Sequence, residues 1–140
     1  MLNENAKKWV AALRSGRFSQ GRGCLSRDGD HCCLGVAYRV YAEENEHVPF
    51  TESVNTSMGS TFTQGEESTC TTLLLSIMNW LGLRTPTGQY NDPRLSSDKK
   101  SYNWSLTCEN DEACTSFNKI ADIIESEPEG LFVEKETKSC

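Results

Sequence analysis

No Cys-x-x-Cys pair occurs in these 140 residues, although the chain holds seven cysteines, and histidine is limited to His31 and His47. Zinc sites in small domains draw their ligands from closely spaced Cys and His pairs. Here Cys32 and Cys33 are adjacent, and five residues separate Cys108 from Cys114. The spacing therefore predicts no metal site. Nor is there an apolar run near the roughly 20 residues that a membrane-crossing helix needs, so no membrane contact is expected. The opening Met1–Asn5 lacks the basic start and apolar stretch of an export signal. That absence, with an odd cysteine count, predicts a cytoplasmic protein whose thiols stay reduced and pack as small hydrophobes.

Acidic residues are missing from a whole segment. Between Asn5 and Arg27 there is no Asp or Glu, while six bases occur: Lys7, Lys8, Arg14, Arg17, Arg22 and Arg27. The chain as a whole carries 14 bases against 20 acids, a net charge of −6. Removing the six bases leaves eight against 20 acids, or −12, for the remainder. A strongly acidic remainder repels phosphate backbones, which makes nucleic acid an unlikely partner. The polarity points to a local basic patch that meets something anionic.

Hydrophobic residues make up 36% of the chain, less than usual, which implies long polar loops around one core. The expected fold class is α+β, a single domain over 1–140 with about four helices packed around one or two short antiparallel hairpins. Ala6, Trp9, Val10 and Leu13 predict a first helix over 5–15, with Asn3 or Asn5 as cap and Gly16 after it. Asp28-Gly29 between Cys24–Arg27 and Asp30–Cys33 predicts a hairpin, because a type I′ turn needs positive φ at both central positions. A helix over 34–44 follows. Residues 45–69 turn polar and are expected to form a long loop or flap. Helices are predicted over 70–81, ended by Gly82, and over Phe117–Glu125 behind a Thr115 or Ser116 cap. Between them, Leu83–Thr85 and Gln89–Tyr90 suggest a second hairpin, and 91–103 a solvated loop. Leu131–Val133 suggests a short strand, and 134–140 a frayed tail.

Several stretches in order carry a resemblance: Lys8–Gly16, Gly21-Arg22-Gly23, Cys32-Cys33-Leu34-Gly35-Val36, Trp80–Thr85 and Ser116–Glu125. Together they resemble a family of small proteins common in tailed bacteriophages and prophages. The likeness covers most of the chain except the polar insert and the tail. Cys108–Asp111 departs from it, standing where a Leu-Asn-Asp turn is expected. What the resemblance implies is context, a non-structural accessory protein acting inside a bacterium, with no activity or catalytic residue attached.

Three groups of residues could carry chemistry. Cys32 and Cys33 lead into a helix, whose unpaired N–H groups favour a thiolate, with Arg22 or Arg27 as further help and His31 or His47 as base. Packing at a strand-to-helix junction explains the same pair without catalysis. Glu109, Asp111 and Glu112 cluster, and Asp122 and Glu125 share a helix face. Such acids can do acid–base work or hold Mg²⁺, but acids near a helix start also suit the helix dipole. The basic loop is the best binding candidate: Arg14, Arg17, Arg22 and Arg27, with Phe18 able to stack. Its spacing matches neither a P-loop nor a dinucleotide fingerprint, so no cofactor is expected. The alternative is that this protein's own acids already satisfy these arginines.

The function expected first is non-enzymatic: docking on a host protein with an acidic surface and blocking it, as an inhibitor of host defence. The second is capture of an anionic, phosphate-bearing nucleotide signal by the arginine loop, and the third a cysteine-dependent enzyme.

Overall fold

A computed structural model describes residues 2–45, 47, 50–55, 59–92 and 104–133. The architecture is mixed α+β in one small domain, as the composition and periodicity predicted. Helix α1 (Glu4–Arg14) starts where the Asn3 side chain accepts the Ala6 N–H at 2.7 Å. It buries Ala6, Trp9, Val10 and Leu13, the stripe read from the sequence. Three two-residue strands follow: β1 (Ser19–Gln20), β2 (Ser26–Arg27) and β3 (Asp30–His31). β3 is central, antiparallel to β2 and parallel to β1. Asp28 (φ 52°) and Gly29 (φ 86°) make the expected turn between β2 and β3.

Helix α2 (Cys33–Glu44) is the spine of the core and buries Cys33–Tyr38 without a break. Gly35 is required there. A Cβ at that position would lie 1.8 Å from the carbonyl oxygen of Leu25, so only glycine lets the helix meet the backbone leading into β2.

The polar insert is not a loop. Within the 45–69 stretch lie three antiparallel strands, β4 (Thr51–Asn55), β5 (Gly59–Gln64) and β6 (Glu67–Thr69), in the order β4-β5-β6. Phe62 of β5 is fully buried and stacks on Tyr38 with ring centroids 4.2 Å apart. Phe62, with Phe50 just before β4 packing on Tyr38 and Tyr41, docks the sheet on α2. The Tyr38 hydroxyl donates to the Thr72 carbonyl and accepts from the Leu74 N–H, tying the chain after the sheet to the same point.

Helix α3 (Leu75–Leu81) starts five residues later than the apolar pattern suggested and ends, as predicted, at left-handed Gly82 (φ 82°). The second expected hairpin does not form. Leu83 instead bridges to Phe132, and β7 (Gln89–Tyr90) pairs with β8 (Trp104–Ser105). A helix missing from the sequence reading, α4 (Leu106–Asp111), begins where Ser105 caps the Cys108 N–H at 3.1 Å. Helix α5 (Phe117–Glu125) has the predicted Ser116 cap and packs on α1. Most of 91–103 and the 134–140 tail lie outside the described residues. No helix among the described residues is long and apolar enough to cross a membrane.

Candidate docking cleft

The six bases of the acid-free segment separate into two sets. Lys7 pairs with Glu4, Lys8 with Glu44, and Arg17 with Glu43. Arg14 reaches Asp122 at 2.5 Å and Glu125 at 2.7 Å, holding the Glu125 carboxyl below its usual range. The Asp122/Glu125 face of α5 is therefore half of an ion-pair clamp onto α1. Among the described residues, Arg22 and Arg27 make neither an ion pair nor a side-chain hydrogen bond. Both line one open cleft of about 260 Å³, together with Gly21, Cys24, Asp28 and Asp30.

Local folding explains why these two side chains are presented. Arg22 lies between two fastened glycines. The Gly21 N–H donates to the His31 carbonyl at 2.7 Å, and the Gly23 N–H donates to Asp111 Oδ1 at 3.0 Å. The fully buried Asn110 donates to the Gly21 carbonyl at 2.8 Å, and its own oxygen accepts from Gln20 and from the Cys33 N–H. The α4 end thus holds both sides of Arg22, and the arginine projects from a fixed stem. Arg27 stands directly across from Asp30 in the β2–β3 register, and both are exposed.

The other face of the same hairpin is closed. Ser26 and His31 alternate inward and are buried. Arg39 of α2 donates from Nε to His31 Nε2 at 3.0 Å and from Nη2 to Ser26 Oγ at 3.2 Å. Its two terminal nitrogens grip Glu52 of β4 at 2.8 and 2.9 Å, a bidentate fork whose side chains are only 31% and 25% exposed. Arg39 holds the Glu52 carboxyl below its usual range, and Ser60 adds a further hydrogen bond. Because Nε2 accepts, the His31 imidazole is neutral with its proton on Nδ1; burial and the Arg39 charge lower its pKa below the ordinary 6.5. Nδ1 is buried without a partner among the described residues.

The two thiols weighed as nucleophiles sit where the packing reading puts them, inside the core. Cys32 caps α2, and the Leu34 and Gly35 N–H groups do favour its thiolate. Burial outweighs them and pushes the thiol up to about 12. Cys33 is completely buried, its thiol well above the ordinary range and directed at the Leu106 carbonyl, 3.7 Å away. His31 is committed to Arg39 and His47 is exposed. Both cysteines are core residues, protonated at neutral pH. Among the acids, Glu109 is buried and accepts from Tyr90, Trp104 and Thr115, which makes it an anchor for β7 and β8. Tyr90 and Trp104 are thereby engaged internally. Phe18 packs edge-on against His31, 5.4 Å between centroids, with Arg17 over its ring.

Sequence reasoning thus named Arg22 and Arg27 but missed Asp28, Asp30 and Cys24 as lining, and missed Arg39 and Glu52 as support. The Arg27-Asp28-Gly29-Asp30 order was the available signal, since a two-residue turn sets its flanking residues side by side on one face. Among the described residues, no group of three or more Cys, His, Asp or Glu stands ready to hold a metal.

No curated protein and no solved structure matches this chain. Residues 1–128 match the family model of DUF8296, a domain of unknown function, and the chain belongs to that family.

Proposed function

We propose that this is a non-enzymatic accessory protein, of the phage kind its motifs resemble, that docks on an acidic surface of a bacterial host protein and blocks it in the cytoplasm. The observation that carries this reading is the pair Arg22 and Arg27, exposed on one cleft with no ion pair or side-chain hydrogen bond among the described residues, while four neighbouring bases are neutralised. Arginine is a frequent anchor of protein interfaces, and its fork matches carboxylates. The fixed stem beneath Arg22 reduces the ordering cost of association.

Capture of a phosphate-bearing nucleotide fits less well. Phosphate sites rely on several free backbone N–H groups, and the glycine N–H groups here are spent on His31 and Asp111. Two aspartates also share the cleft, and its volume lies below the roughly 300–1,000 Å³ of typical small-molecule sites.

The test is capture from bacterial lysate on immobilised protein, comparing the native chain with the R22E/R27E variant. A protein retained by the native chain and lost from the folded variant is the expected result. Retention of the same proteins by both overturns the reading. In parallel, a nucleotide that raises the native melting temperature, but not that of the variant, would favour nucleotide capture.

A further inference from the structure

The cleft is not simply basic. It carries two guanidinium groups and two carboxylates, and the opposite charges do not neutralise one another by ion pairing. Arg27 and Asp30 are direct cross-strand neighbours, with Cβ atoms about 4.5–5.5 Å apart in such a pair. Yet no nitrogen of Arg27 or Arg22 lies within ion-pair distance of Asp28 or Asp30 among the described residues. Asp28 occupies a left-handed position and Gly29 follows it, so the backbone of the hairpin tip keeps its shape and holds both signs side by side on one exposed edge. Gly21 closes one side: a Cβ there would lie 2.8 Å from that of Asp30, so the arginine loop sits directly on the acidic strand.

A uniformly acidic partner element would satisfy Arg22 and Arg27 while pressing its remaining carboxylates on Asp28 and Asp30. Like charges brought together in this way oppose association strongly. A uniformly basic element meets the reverse conflict. An element with both signs satisfies all four groups.

We infer that the cleft selects a polypeptide segment of mixed charge, whose acidic side chains reach Arg22 and Arg27 and whose basic side chains reach Asp28 and Asp30. This rests on the docking reading above and specifies the partner's chemistry. Apart from the arginines, the discriminating residues are the two aspartates, which exclude all-acidic segments that the arginines alone would admit.

Three fluorescent synthetic peptides of equal length test it by anisotropy: alternating Glu-Lys, all-Glu and all-Lys. The native protein is compared with R22A/R27A and with D28N/D30N; Asn suits the left-handed position 28, and circular dichroism checks each fold. The expected result is that the alternating peptide binds about ten-fold more tightly than the all-Glu peptide, and that R22A/R27A removes this binding. D28N/D30N then narrows the gap by improving all-Glu binding. If all-Glu binds the native chain at least as well, and still needs Arg22 and Arg27, the mixed-charge preference is overturned while the docking reading stands. If neither the alternating nor the all-Glu peptide depends on those arginines, both fall. If all-Lys binds at least as tightly as the alternating peptide and loses that binding in D28N/D30N, the cleft takes basic segments and the mixed-charge preference is overturned.

Discussion

The two faces of the β2–β3 hairpin differ in whether their side chains are buried and bonded or exposed on the cleft. Inward, Ser26 and His31 are bound into a network that runs through Arg39 to Glu52 and Ser60. Outward, Arg27 and Asp30 line the open cleft, without an ion pair or side-chain hydrogen bond among the described residues. Strand alternation puts a closed polar network and an open one on the same four residues. The lesson is that a very short strand pair can present exposed charge from a fixed backbone when its hidden side is fastened to a helix and to a second sheet.

The contrast can be broken at its root. Gly35→Ala would force a Cβ into the Leu25 carbonyl and lever α2 away from the hairpin. We expect loss of a cooperative transition, or destabilisation on the order of 3–5 kcal/mol in denaturant titration. A smaller change, Arg39→Ala, strips the inner face alone. It leaves Glu52 partly buried without its cation and Ser26 and His31 without their donor. A loss of about 1–3 kcal/mol is expected, moderated by the partial exposure of the pair. Unchanged stability would show that the inner network holds nothing.

Acidity sharpens the comparison without mutation. His31 has a folded-state pKa below 6.5, so as pH falls through 6.5 the unfolded chain takes up a proton that the folded chain refuses. Stability therefore declines from about pH 6.5 downward, until the folded-state pKa is passed. Below the ordinary 4.5, Glu52 adds a second decline by the same logic. In His31→Gln the upper step should vanish and the lower one persist, as read from melting temperature against pH. The outer face should show the opposite indifference: Arg22→Ala and Arg27→Ala are each expected to alter stability by no more than about 0.5 kcal/mol.

How much of this was legible in the sequence depended on how local the determining contacts are. Helices α1 and α5 and the Asp28-Gly29 turn follow from caps, periodicity and φ preferences within a few residues, and each was readable. The β4–β6 sheet was not, because its strands are Ser- and Thr-rich, and Phe62 gains its role from Tyr38, far earlier in the chain. The same holds for Gln89–Tyr90, which found Trp104–Ser105 instead of Leu83–Thr85. Helix α4 is short and carries a single buried apolar residue, Leu106, too few for a period to show. At the cleft, the arginines were visible as a group, but their division was not. Arg14 and Arg17 are neutralised by Asp122, Glu125 and Glu43, whose positions depend on how α1, α2 and α5 pack.

The clasp around position 22 has an implication for how such a protein could change over time. Its anchoring uses the main chain of residues 21 and 23, so the side chain between them contributes nothing to the frame. A single codon there can be exchanged without disturbing the surrounding architecture.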